Sequence, residues 1–184
     1  MKKIKKIIFV LSLALVVLPC LVSCSKGKEL EKYVNTINES VTTSTKVEST
    51  LTIKDSDVVV YNQVKELTII SGSKATAVYT TTSLSDSFEL VTGKTTEIIE
   101  NLQSTDLFNL NLQEELFKTY TLKDNNFSGE IDNENISKVF NSNIKIKDLA
   151  KLSITFENKK IKKIECAYVT DTNRAVTLST VYEY

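Results

Sequence analysis

The chain has 184 residues, with 23 Lys and Arg against 23 Asp and Glu, no His, no Trp and only four Gly. Without His there is no imidazole base and no Ser-His or Cys-His nucleophile pair, and no two glycines lie close enough to build a phosphate-cradling loop. Arg174 is the only arginine, so the guanidinium fork on which nucleic-acid recognition leans is missing, and no nucleic-acid partner is expected.

Four lysines (Lys2, Lys3, Lys5, Lys6) open the chain and an apolar run over 7–22 follows, broken only by Ser12. This is the order of a secretory signal, with a basic n-region and then an apolar h-region. The run closes on Leu21-Val22-Ser23-Cys24, which resembles the bacterial lipobox. That resemblance implies cleavage between Ser23 and Cys24, a diacylglycerol on the Cys24 sulfur, and a domain lipid-anchored to the outer side of the cell membrane. The alternative is an uncleaved membrane anchor. At 16 residues, with Pro19 near its end, the run is short of the roughly 17–25 that a spanning helix needs. Four of the 23 basic residues lie in the signal and every acidic one lies after it, so the processed chain carries 19 basic against 23 acidic groups. About 160 residues remain, one domain with room for a core. The expected organisation is a signal peptide at 1–23, the lipidated Cys and a short tether at 24–27, and a single antiparallel α+β domain at 28–184.

Leu30, Tyr33, Val34, Ile37 and Val41 are spaced 3, 1, 3 and 4, which predicts an amphipathic helix over 30–41. Only Ser25, Lys26 and Gly27 form the tether between Cys24 and the domain beginning at residue 28, a span of about 10–15 Å. Period-two alternation follows. Val47, Ser49, Leu51 and Ile53 form one strand and 58–61 and 64–70 lie on the next, with Asn62-Gln63 as a potential break. Ala75, Ala77 and Tyr79 share one face of a strand over 75–82, and 88–91 continues the meander. Ile98, Ile99 and Leu102 predict a short helix in 95–104, while 107–112 reads as either strand or loop. A hairpin is expected around Asp124-Asn125-Asn126. Asp132-Asn133 then supplies capping side chains ahead of Ile136, Val139 and Phe140. The chain ends in three strands: Leu152, Ile154 and Phe156; then 161–170; then Val176, Leu178, Thr180, Tyr182 and Tyr184.

This layout resembles the fold of bacterial lipoprotein-carrier and lipoprotein-localisation proteins, shared by mycobacterial glycolipid-binding lipoproteins. The resemblance rests on the lipobox at 21–24, the helix at 30–41 and the closing hairpins at 152–184. It implies a curved antiparallel sheet of about 8–10 strands, an open half-barrel, with the N-terminal helix and one or two further short helices packed on its concave face. It contains no motif of functional residues, so it assigns no roles.

Candidate sites come from the residues themselves. If the half-barrel is open, Ile37, Tyr79, Tyr168 and Tyr182 are the candidates to line an apolar ligand, with core packing as the alternative for each. Lys159, Lys160, Lys162 and Lys163 form a basic turn suited to anionic lipid headgroups, or to a solvated hairpin end that discourages edge pairing. Asp55-Ser56-Asp57, Asp124-Asn125-Asn126 and Asp132-Asn133-Glu134-Asn135 offer oxygen ligands but lack calcium-loop spacing, so they read as turns and no metal or cofactor is expected. If Cys20 leaves with the signal and Cys24 is lipidated, as the lipobox resemblance implies, Cys166 stands alone. Its alternation phase with Ile164 and Tyr168 makes it a core thiol. Two functions remain: a non-catalytic binding module for a lipid or other apolar ligand, and an extracytoplasmic lipoprotein that docks a protein partner.

Overall fold

The computed structural model describes residues 30–37, 39–123 and 125–184. The signal, Ser23, Cys24, the tether and Asp124 lie outside the described residues. Helix α1 covers 30–37 and 39–41. Nine antiparallel strands follow: β1 Lys46–Asp55, β2 Val58–Ser71, β3 Lys74–Leu84, β4 Leu90–Ile99, β5 Thr119–Lys123, β6 Asn126–Ile131, β7 Ala150–Glu157, β8 Lys160–Val169 and β9 Arg174–Glu183. Two one-turn helices, α2 (Ser104–Leu107) and α3 (Ile136–Val139), and a 3-10 turn at Glu114–Leu116 interrupt them.

The strands form one curved sheet in the order β4-β3-β2-β1-β9-β8-β7-β6-β5. Two meanders are therefore sewn together by the first and last strands. Lys46 to Asp55 pair residue by residue with Glu183 to Arg174. The sheet does not close, and β4 and β5 are its free edges. This is the expected α+β half-barrel.

Turn chemistry explains the local choices. Asn158 and Lys159 both have positive φ, 53° and 63°, the two-residue turn whose twist matches a right-handed hairpin. Asn125 and Asn173 take the left-handed conformation at the β5–β6 and β8–β9 turns. Asp132 Oδ1 accepts the backbone N–H groups of Glu134 (3.2 Å) and Asn135 (3.1 Å), which builds the turn that leads into α3, whose N-cap is Asn135 rather than the expected Asp132-Asn133.

Two expectations are corrected. Residues 95–99 are not helical but belong to β4, which pairs with β3 from Leu90↔Leu84 to Ile99↔Ala75. Thr92, Thr95, Thr96, Ile98 and Ile99 are β-branched, and ten consecutive ladder partners outweigh the helical spacing of Ile98, Ile99 and Leu102. Nor do Asn62 and Gln63 break β2. Thr52 Oγ1 donates to Asn62 Oδ1 at 2.8 Å, and Gln63 Nε2 donates to Thr81 Oγ1 at 3.3 Å, so both amides are satisfied across strands and the 14-residue strand runs through.

The core is lopsided. From β6 to β9 the inward positions are buried: Phe127 and Ile131, then Leu152, Ile154 and Phe156, then Ile161, Ile164 and Cys166, then Val176 and Tyr182. Leu30, Ile37 and Val41 of α1 and Ile136 and Val139 of α3 complete this cluster. In the other half only Val47, Leu67, Ala75 and Ala77 are buried, and β4 is exposed along nearly its whole length. One half of the concave face is plugged; the other is open.

Candidate functional site

Helix α1 sits on the sheet by its apolar stripe, so its two flanks decide what surrounds it. Tyr33 meets Phe156 edge-on at 5.0 Å, and the Ile161 N–H donates to Ser40 Oγ at 3.3 Å, which fixes the helix over β7 and β8. On one flank Leu30 and Val34 face Phe108, Leu110 and Leu112 across a cleft of about 680 Å³, with Glu31, Glu114 and Glu115 at its rim. Opposite lies a groove of about 590 Å³ between Lys32, Tyr33 and Thr36 of α1 and the β5–β6 and β7–β8 turns. Leu122 and Phe156 line its apolar part, and Lys32, Lys123 and Lys159 its basic part. One helix thus separates an acid-rimmed cleft from a lysine-rimmed one. A third recess, about 380 Å³, lies where β1 meets β9 and β8, among Leu51, Ile53, Ile144, Tyr168 and Val176.

The residues singled out from the sequence do not converge. Ile37 is fully buried beneath α1. Tyr182 is buried too, its hydroxyl donating to the Leu107 carbonyl at 2.7 Å, and burial raises its pKa. Tyr79 lies toward the open half, donating its hydroxyl to the Glu97 carboxylate at 2.7 Å. That hydrogen bond, with burial and the carboxylate charge, pushes the phenol up to about 12. Lys65 Nζ stands 5.6 Å from its ring centre. Tyr168 lines the recess where β1 meets β9 and β8.

The four lysines also part company. Lys160 lies over the Tyr184 ring at 4.3 Å, Lys162 pairs with Glu157 at 3.9 Å and Lys163 with Glu165 at 2.7 Å. Lys159, at the tip of its turn, points instead to the groove that Lys32 lines. Cys166 is buried, and burial pushes its thiol up to about 12, far from nucleophilic reactivity. Asp55 faces Arg174 Nε at 3.8 Å, and among the described residues no three His, Cys, Asp or Glu side chains gather as metal ligands. No helix among them is long and apolar enough to cross a membrane.

Both α1 clefts escaped the sequence reading. The alternation of Phe108, Leu110 and Leu112 was a usable signal that this segment presents one apolar face. Its partner on α1 is nearly eighty residues away and leaves no local mark.

No protein-family model matches the sequence, and no curated protein does. Among solved structures the chain is similar to LprF from Mycobacterium bovis, with 8% identity, 85% of this chain and 92% of that one covered, and a TM-score of 0.44. It is also similar to a redesigned β-barrel, mFAP1, bound to DFHBI, with 12% identity, 79% of this chain and 98% of that one covered, and a TM-score of 0.26. At those values neither likeness transfers a residue role or a ligand.

Proposed function

We propose that this chain is an extracytoplasmic lipoprotein, anchored to the cell membrane through diacylglycerol on Cys24, whose domain is a non-catalytic binding module for a lipid or another apolar ligand. The observation that carries the binding half is the cleft of about 680 Å³ walled by Leu30, Val34, Phe108, Leu110 and Leu112. Its size falls in the range of small-molecule sites, roughly 300–1,000 Å³, and its lining mixes these apolar side chains with polar ones such as Asn109, Asn111 and Gln113. It opens at the first turn of α1, six residues after Cys24, so a tethered domain carries it within reach of the bilayer.

Native mass spectrometry of the chain purified from its own host should find a co-purifying lipid. A fluorescent fatty acid should bind saturably, and Leu110→Glu, which puts a carboxylate into the apolar wall, should weaken it by about tenfold or more. No saturable binding by the folded chain refutes the ligand. For the anchor, Cys24→Ala should release the protein from membranes and change the mass of its N-terminal fragment. Unchanged retention and mass refute lipidation.

A second reading has its own observation. Strand β4 is a ten-residue free edge on which Leu90, Val91 and Ile98 are exposed. Such an edge can accept an added strand, which fits a lipoprotein that docks a protein partner. Cross-linking from β4 positions in intact cells distinguishes this from ligand binding in the α1 cleft.

A further inference from the structure

We infer that the lysine-rimmed groove between α1 and the β5–β6 and β7–β8 turns seats the phosphate-bearing headgroup of an anionic membrane phospholipid, and so orients the domain on the bilayer. Three features of the groove converge on this occupant.

The first is charge. Lys32 of α1 and Lys159 of the β7–β8 turn line the groove, and Lys123, which has a partner of its own, lines it from the β5–β6 turn. Neither Lys32 nor Lys159 has an ion-pair partner among the described residues, whereas the neighbouring Lys162 and Lys163 have theirs in Glu157 and Glu165. The charge of these two lysines is therefore turned outward. A phosphodiester presents the acceptor oxygens that ammonium groups bind as point charges.

The second is the apolar part beneath that rim. Tyr33 and Phe156, locked edge-to-face, and Leu122 give the groove an apolar wall suited to the glycerol and first methylenes below a headgroup. A free inorganic anion has no use for such a surface; an amphiphile does. The turn that carries Lys159 adds to this. In two-residue hairpin turns of this kind the second position favours Gly, because φ is positive there, yet Lys159 occupies it at 63°. A long cationic side chain stands where the backbone alone would choose none.

The third is reach. Lys32, Tyr33 and Thr36 sit on the first two turns of α1, and only five residues separate Cys24 from Leu30, at most about 20 Å of chain. The inference rests on the tethered reading only for the source of the lipid.

The test is a 31P NMR titration of the full chain in a non-ionic detergent with dihexanoyl-phosphatidylglycerol, alongside dihexanoyl-phosphatidylcholine and inorganic phosphate. The phosphatidylglycerol should bind saturably and about fivefold or more tighter than either comparator. Lys32→Gln with Lys159→Gln should weaken it about fivefold, while Lys162→Gln with Lys163→Gln should leave it within about twofold. All these positions are solvent-facing, and unchanged thermal melts will show that each variant is folded. Equal binding of phosphatidylcholine, equal binding of phosphate, or an equal loss in the Lys162/Lys163 pair overturns the inference. The mass of the N-terminal fragment, measured on the same preparation, reports the tether separately. A lipidated chain that ignores phosphatidylglycerol removes the groove and keeps the anchor; an unlipidated chain that binds it does the reverse.

Discussion

Two glycines in the same sheet should respond to alanine with opposite signs. Gly129, in β6, lies opposite Tyr120 and Leu152 and under the ring of Phe117. A Cβ placed there would stand 2.6 Å from Phe117 Cδ1, 2.9 Å from its Cε1 and 2.9 Å from Phe127 Cζ. Carbon atoms rest at about 3.5–4.0 Å, so the rings must retreat by roughly 1 Å. They have little room to do so. Phe117 and Phe127 are both buried and meet edge-on at 5.1 Å, and Tyr120 stacks on Phe127 at 6.1 Å. Such overpacking costs about 1–3 kcal/mol, offset by the ~0.5–1 kcal/mol that alanine gains by restricting the unfolded chain. Gly129→Ala should therefore destabilise by about 1–2 kcal/mol. At Gly93, on the exposed strand β4, nothing lies within 4 Å of an added Cβ, so Gly93→Ala should stabilise by about 0.5 kcal/mol. The two variants should differ by roughly 5–10 °C in Tm, and by a matching shift in urea midpoint at constant slope. Phe117→Leu introduced beside Gly129→Ala should recover part of the loss, which a double-mutant cycle isolates. If Gly129→Ala melts at or above Gly93→Ala, the packing of the β5–β6 aromatic cluster described above is wrong.

Cys166 should react with a thiol reagent far more slowly in the native protein than in denaturant. Its thiol is raised from 9.0 to about 12, so between those pH values the unfolded chain loses a proton that the folded chain keeps; stability should fall as pH climbs through this window, less steeply in Cys166→Ala. Tyr182→Phe removes the donor to the Leu107 carbonyl and should cost about 1 kcal/mol in denaturant titrations, with a null effect arguing against that bond. Ile37→Asp should lose about 3 kcal/mol or more and abolish folding, whereas Asn35→Asp on the exposed side of the same helix should be near neutral; equal melts would place α1 off the sheet.

The sequence by itself determined the faces. The 3-1-3-4 spacing from Leu30 put Ile37 and Val41 inward, and strict alternation put Leu152, Ile154, Phe156, Cys166 and Tyr182 inward, all of them buried. Period and turn residues are local signals, set by backbone geometry over a few residues, so a single chain displays them in full. The resemblance of residues 1–24 to a secretory signal and a lipobox is likewise a local reading, carried by order and composition alone.

Adjacency belonged to the tertiary structure alone. Residues 95–99 are helical by spacing and extended by pairing, because ten ladder partners in β3 supply what local preference lacks. Nothing in β1 announces that β9, more than a hundred residues away, is its neighbour, yet that pairing joins the two meanders and leaves β4 as a bare edge. The lysines show the same division. Five residues of sequence presented Lys159, Lys160, Lys162 and Lys163 as one patch, and the alternating faces of a strand dispersed them to separate partners. Lys32, Lys123 and Lys159, distant in sequence, were brought to one groove because α1 crosses the ends of the two hairpins that carry the other two. Periodicity says which way a side chain points; only the closing of long loops, whose entropic cost the whole core must offset, decides what it points at.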